Sequence, residues 1–164
     1  MIGYNAVPIN LTQDFGEWLD KLDFDTWATL TFAGMHMTKD AYKKARVKFE
    51  KWLYSEFYGA TRPISHMVAV EKFHQTDYTH IHSLIRGLGD IPYAEIGKSW
   101  RKYYGGINRI EKYEQDKGAN FYITKYTTKE MMDWNIQIHK KHRNQELEPS
   151  WVRDSARAII NDKR

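Results

Sequence analysis

The segment Tyr78–Gly87, which reads YTHIHSLIRG, contains two histidines that are two residues apart. The segment is predicted to be a β-strand, so the side chains of His80 and His82 would emerge on the same face of a sheet. Two imidazoles on one face can bind one divalent metal ion. A histidine on a sheet face is also often structural. The pair by itself therefore leaves a metal site and a structural role open.

A predicted hairpin brings a carboxylate to the histidine pair. A four-residue loop at Gln75–Tyr78 would pair Phe73 with His80 and Glu71 with His82. Residues that face each other in a ladder point to the same side of the sheet, so Glu71 would join both histidines. A slip of one residue would turn Glu71 toward the core, which is unfavourable for a carboxylate. Glu71 completes a two-histidine, one-carboxylate set, and the alternative is an ordinary surface carboxylate.

A second segment, Asn120–Glu130 (NFYITKYTTKE), carries a pair of tyrosines. In a helix, Tyr122 and Tyr126 lie on one face and are flanked by Lys125 and Lys129. A tyrosine hydroxyl titrates near pH 10, so it needs nearby positive charge to act as a nucleophile at neutral pH. The lysines would supply that charge. Taken in isolation, the segment also fits a helix with surface lysines and amphipathic tyrosines.

The elements that must position these residues follow the order helix, then β-α-β-β-α-β-α. This order favours an α+β fold built on one mainly antiparallel sheet. The sheet face opposite the histidines would carry Val68, Val70, Ile81 and Ile85. Asp90 is predicted to cap the helix that contains Pro92 in its first turn. The predicted elements are a helix at Leu11–Leu22, a strand at Trp27–Ala33, a helix at Thr38–Phe57 with the buried stripe Ala41, Ala45, Phe49, Trp52 and Leu53, the hairpin strands Ile64–Phe73 and Thr79–Arg86, the helix from Asp90 to Gly105, a strand at Ile107–Tyr113 and a helix at Asn120–Met132.

The composition limits the class of protein. A chain of 164 residues fits one domain, and the absence of cysteine excludes disulfides and thiolate metal sites. No stretch approaches 18 consecutive apolar residues, so we expect a soluble, intracellular protein with no membrane partner. The net charge of +4 favours nucleic-acid binding only slightly, and 11 Tyr and 6 Trp against 7 Phe suit base stacking as well as a core.

Three segments in this order resemble the HUH replication initiators of rolling-circle plasmids, single-stranded DNA phages and small circular DNA viruses. WATLTFA at Trp27–Ala33 is similar to the first motif of that family, and HIH at His80–His82 to its His-hydrophobe-His motif. YITKYTTKE at Tyr122–Glu130 is similar to its tyrosine helix, in which Lys follows Tyr by three residues. The resemblance covers roughly Trp27 to Glu130. It implies a five-stranded, mainly antiparallel sheet flanked by helices.

The resemblance also implies an activity. The enzyme would nick and rejoin single-stranded DNA at a replication origin through a 5′-phosphotyrosine intermediate, with Mn²⁺ or Mg²⁺ held by His80, His82 and Glu71. Tyr126 is the first choice of nucleophile and Tyr122 the second, because some plasmid initiators keep only the second tyrosine. Lys125 or Lys129 would offset phosphate charge. Initiation of rolling-circle replication would follow.

The implied organisation is an HUH endonuclease domain at residues 1–132, including the N-terminal helix. A charged C-terminal extension at 133–164 would follow, with a short helix from Ser150. The expected partners are single-stranded DNA, a separate helicase, because no P-loop motif occurs, and a host polymerase. The expected location is the cytoplasm of a bacterial or archaeal host, or the nucleus for a eukaryotic virus. The alternatives are an HUH tyrosine transposase with one tyrosine and a non-catalytic nucleic-acid-binding sheet domain.

Overall fold

A computed structural model describes residues 16–36, 41–72, 78–118 and 131–143. Within these ranges the chain forms one five-stranded sheet in the order β4-β1-β3-β2-β5, and every neighbouring pair is antiparallel. Helices flank the sheet, so the predicted α+β fold is confirmed. The elements are β1 (Thr26–His36), α1 (Ala41–Phe57), β2 (Ser65–Lys72), β3 (Tyr78–Arg86), α2 (Tyr93–Tyr104), β4 (Asn108–Lys112) and β5 (Met131–Gln137).

The larger core lies between one face of the sheet and the two helices. Trp52 of α1 and Trp100 of α2 meet edge to face, with ring centroids 5.0 Å apart. The predicted α1 stripe and the predicted core residues of β2 and β3 are buried, as expected. Each strand contributes alternate residues because its side chains alternate between faces. The cluster includes Ala45, Phe49, Trp52, Leu53, Val68, Val70, Ile81, Ile85, Ile96 and Trp100.

The opposite face of the sheet has a smaller core at one end. Residues 16–20 are helical, and Trp18 and Leu19 pack with Met67 of β2 and Leu84 of β3. This agrees with the C-terminal part of the predicted first helix. Leu84 lies two residues after His82 on the same face, so the apolar cluster ends beside the histidine pair.

The predicted cap of α2 is wrong. The helix begins at Tyr93, Pro92 is its N-cap, and no side chain caps it. The Asp90 carboxylate instead pairs with Arg62, whose Nη2 lies 2.8 Å from Asp90 Oδ2. A bidentate guanidinium–carboxylate pair is stronger than a single hydrogen bond from a backbone N–H. This difference explains why Asp90 pairs with Arg62 instead of capping α2.

The fifth strand was not among the elements predicted from the residues. Met131 and Met132, assigned to the end of the predicted helix Asn120–Met132, belong to β5, and the rest of that helix lies outside the described residues. The strand crosses the proposed boundary between residues 132 and 133. Its pattern is hidden because the face toward α1 is polar: Asp133 bonds Arg46 Nε at 2.9 Å, and Asn135 bonds Glu50.

Candidate metal centre

The three predicted metal ligands lie together on the sheet face away from α1 and α2. His80 and His82 come from the central strand β3, and Glu71 comes from the adjacent β2. One carboxylate oxygen, Glu71 Oε2, is 3.0 Å from His80 Nε2 and 3.2 Å from His82 Nε2. Their side chains are 6%, 12% and 8% exposed, for Glu71, His80 and His82 respectively. The centre is therefore mostly shielded from water.

The strand pairing that builds this centre differs from the predicted register. Glu71 pairs with His80 and Ala69 with His82, whereas the prediction paired Glu71 with His82. The ladder is shifted by two residues: its last pair is Lys72 with Thr79. Six residues, 73–78, therefore separate the paired positions, instead of the predicted four. A shift of two keeps every side chain on its face, whereas a shift of one would reverse it. The grouping of ligands was therefore right although the register was wrong.

Opposing influences set the ionisation of Glu71. Burial raises the pKa of its carboxyl group, because removal from water penalises the charged form. The hydrogen bond from His82 and the positive charge of both histidines lower the pKa by more, so it lies below the ordinary glutamate value. At neutral pH Glu71 is thus a carboxylate, the form that can bind a cation.

Two residues of β1 hold the imidazole of His82. Thr29 is the cross-strand partner of His82, and its Oγ1 lies 3.3 Å from His82 Nδ1. The Trp27 ring stacks on the His82 ring at 5.5 Å between centroids and 17° between planes. With Nδ1 engaged and the ring held flat, Nε2 is directed toward Glu71. The strand motif Trp27–Ala33 was identified from the sequence, but these roles were not; period-two alternation would place both residues on the histidine face.

The donor set fits a divalent cation. One ligand atom from each of the three residues lies within 4.8 Å of the others. The Glu71 oxygen lies 3.0 and 3.2 Å from the two histidine nitrogens, so the three groups are close enough to share one ion. Two imidazole nitrogens and one carboxylate are typical ligands for such an ion. The cluster can therefore hold a metal ion.

The remaining predicted site residues, Tyr122, Lys125, Tyr126 and Lys129, lie outside the described residues. The described chain resumes at Met131, which is the ladder partner of Glu71.

Comparisons with known proteins identify one similar solved structure and no family. No protein-family model and no curated protein matches the chain. Among solved structures, it is similar to the hypothetical protein ORF119 from Sulfolobus islandicus rod-shaped virus 1. The identity is 13% and the TM-score 0.42, over 73% of this chain and 90% of that one. Function is therefore argued from the site itself.

No helix within residues 16–36, 41–72, 78–118 and 131–143 combines the length and the apolar composition that are needed to cross a bilayer.

Proposed function

We propose that this chain is a metal-dependent endonuclease and strand transferase that nicks and rejoins single-stranded DNA at a replication origin. The observation that carries the proposal is the convergence of His80, His82 and Glu71 on one sheet face. The ordered motifs from Trp27 to Glu130 support the reaction class, because they resemble those of HUH replication initiators. In that reading, the product of the nick primes rolling-circle replication.

The three ligand residues would supply the metal-dependent part of the reaction. His80, His82 and Glu71 would hold Mn²⁺ or Mg²⁺, and two nitrogen ligands favour Mn²⁺ more than an all-oxygen site would. When bound, the ion would polarise and orient the scissile phosphate. Thr29 and Trp27 act through His82 as positioning residues. The shielding of the three ligands strengthens their charge interactions relative to water.

The length of the chain supports a tyrosine close to this centre. Tyr126 precedes Met131 by five residues, so their Cα atoms are at most about 18 Å apart even in a fully extended chain. Lys129 is at most about 7 Å from Met131 by the same measure. Because Met131 pairs with Glu71, these limits are compatible with Tyr126 and Lys129 reaching a phosphate held at the ligands.

The proposed step is a transesterification. The Tyr126 hydroxyl oxygen bonds to phosphorus as the bond from phosphorus to the 3′ oxygen breaks, and the tyrosine proton passes to the departing 3′ oxygen by way of solvent or a base. The products are a 5′-phosphotyrosine and a free 3′-hydroxyl. Lys125 or Lys129 offsets the phosphate charge. Since the phosphodiester energy is conserved, a later 3′-hydroxyl can reverse the step and seal a strand.

Capture of the covalent adduct tests the proposal without knowledge of the origin sequence. The full chain is incubated with Mn²⁺ and a pool of single-stranded oligonucleotides of random sequence, and adducts are isolated on a denaturing gel and sequenced. We expect adducts with a shared sequence that vanish with EDTA or in His82→Ala. The matched control His142→Ala should retain them. An absence of adducts at any metal concentration would favour a non-catalytic nucleic-acid-binding domain.

The nucleophile is identified by mass spectrometry of the adduct peptide. Tyr126→Phe should remove most of the adduct, whereas Tyr122→Phe should keep initial nicking and impair rejoining. Tyr58→Phe is the control, because Tyr58 is an exposed tyrosine on the helix-side half of the fold. A full adduct yield from Tyr126→Phe together with none from Tyr122→Phe would reverse the assignment.

A further inference from the structure

A row of lysines on α1 faces solvent on the side of the sheet opposite the metal centre. Lys44, Lys48 and Lys51 are all exposed, and their spacing of four and then three residues places them on one helical face. At a rise of 1.5 Å per residue, the row is about 10 Å long. We call these three residues the lysine row.

Intrahelical ion pairs do not account for the lysine row, and the partner of Lys48 is the Tyr104 ring of α2, 5.8 Å from Nζ to the centroid. The helical neighbours of Lys48 and Lys51, three and four residues away, include no acid. Among the described residues, no carboxylate forms an ion pair with any lysine of the row; the α1 ion pairs all involve Arg46 or Glu50. Like charges at this spacing destabilise a helix by a few tenths of a kcal/mol per pair. An anionic ligand would turn this unfavourable arrangement into a favourable one.

The positive surface continues onto α2. Tyr104 donates a hydrogen bond to the Lys48 carbonyl at 2.9 Å, so the C-terminal turn of α2 lies beside the row. That turn carries exposed Arg101 and Lys102. The ring of Tyr103 is 49% exposed, Lys102 Nζ lies 5.6 Å from its centroid, and its hydroxyl donates a hydrogen bond to one acid on this surface, Glu56. An aromatic ring beside several cations is typical of surfaces that bind nucleic acid.

We propose that the lysine row, with Lys102 and Tyr103, binds the sugar-phosphate backbone of a nucleic acid. One DNA strand presents a charge about every 3.4 Å along the axis, so the row spans about three nucleotide steps. The helices separate this surface from the metal centre, and it therefore contacts a different stretch of nucleic acid from any stretch held at Glu71, His80 and His82. The proposal does not depend on the nicking reaction.

Charge-matched variants test the proposal. Binding of a 30-nucleotide single strand and of a 20-base-pair duplex is measured in EDTA over a range of salt concentrations. The triple variant K44Q/K48Q/K51Q should bind at least one of them about tenfold more weakly at low salt. Loss of three phosphate contacts should also reduce the salt slope by about 2 to 3. The control K112Q/K140Q/K141Q removes the same charge from exposed lysines elsewhere and should change affinity less than about twofold.

Equal losses from both triple variants would overturn the proposal, because they would show that only net charge matters. Tighter binding of the row to vesicles of anionic phosphatidylserine than to either DNA would also overturn it and would identify a membrane surface. If adduct formation fails but the charge-matched difference holds, only the nicking proposal is lost; the opposite result removes only the lysine-row proposal.

Discussion

Two clusters on opposite faces of the same sheet use the same residue types to different ends. On the helix side, Glu50 binds His66 Nε2 at 3.1 Å and Arg46 Nη1 at 2.9 Å. On the other side, Glu71 faces His80 and His82. Glu50 binds a guanidinium, an imidazole and an amide from three elements, whereas Glu71 faces two imidazoles. One carboxylate and two imidazoles can share a cation, whereas a carboxylate that already neutralises Arg46 belongs to a structural network.

The histidines of the two clusters differ in accessibility. The side chain of His66 is fully buried, and its Nδ1 is 3.0 Å from the Tyr54 hydroxyl. Burial, and then the negative charge of Glu50, raise the pKa of Tyr54, so this tyrosine stays protonated and is unsuited to act as a nucleophile. The slight exposure of His80 and His82 leaves a ligand a way to reach them. Residue composition alone would not separate the clusters; the direction of each side chain does.

The largest expected effect is the loss of metal binding in His82→Ala. Removal of one of three protein ligands should weaken Mn²⁺ binding by more than about 100-fold, since even outer partners of ligands contribute 10- to 100-fold. The melting temperature in the absence of metal should also fall, because His82 is buried against Trp27 and Glu71, so this effect is measured separately. Calorimetric titration with Mn²⁺ measures the first effect and thermal unfolding in EDTA the second. Undiminished Mn²⁺ affinity in this variant would erase the distinction between the clusters.

The opposite pattern is expected for Glu50→Ala. Loss of this carboxylate removes the link from α1 to His66 of β2 and also removes one ion-pair partner of Arg46. The change should cost about 3 kcal/mol of unfolding free energy. Mn²⁺ affinity should be unchanged. Urea unfolding measures the loss, and Glu95→Ala, at an exposed position in the first turn of α2, should cost less than about 1 kcal/mol. A stability loss no larger than that of Glu95→Ala would show that the helix-side network is not structural.

Acid should weaken the helix-side network in a defined pH window. Burial raises the pKa of Glu50. Its hydrogen bonds to His66 and Asn135 and the charges of His66 and Arg46 lower the pKa by more, so the folded-state pKa lies below the ordinary value. Such a group stabilises the fold fully above its unfolded pKa, near 4.3, and the contribution is lost as the pH falls through the lower folded value. Unfolding free energy should therefore drop more steeply below about pH 4.3 in the unmodified chain than in Glu50→Gln. Parallel pH profiles would contradict this.

The smallest effect on Mn²⁺ affinity is expected at Thr29, which contacts a proposed metal ligand. Thr29→Val removes the oxygen beside His82 Nδ1 and should weaken Mn²⁺ binding about tenfold while preserving the sheet. Thr29→Ser keeps the hydroxyl and should retain most of the affinity. Equal loss in both variants would mean that Thr29 contributes by packing rather than by orienting the imidazole.

The site was more predictable from the sequence than the exact pairing that forms it. Alternation along β3 fixed the common face of His80 and His82, and the carboxylate of Glu71 had to avoid the core, so its face was determined even with the register two residues off. The amphipathic stripe of α1 was equally clear. These features depend on local periodicity, which a sequence displays directly.

Long-range interactions account for what was missed. β5 was hidden because Asp133 and Asn135 point toward the helices, where Arg46 and Glu50, more than 80 residues earlier, bind them. Asp90 has the pattern of a helix cap but binds Arg62, 28 residues away. The stacking of Trp27 on His82 likewise depends on β1 lying beside β3, an adjacency that no local pattern specifies.

The proposed metal centre can be tested by locating a bound ion in the protein. Crystals of the chain grown with Mn²⁺ would be measured near the manganese absorption edge, where anomalous scattering marks the ion. We expect one strong peak within bonding distance of Glu71, His80 and His82, and none beside Glu50 and His66. A peak at another site, or none at millimolar Mn²⁺ with these three side chains ordered, would contradict it.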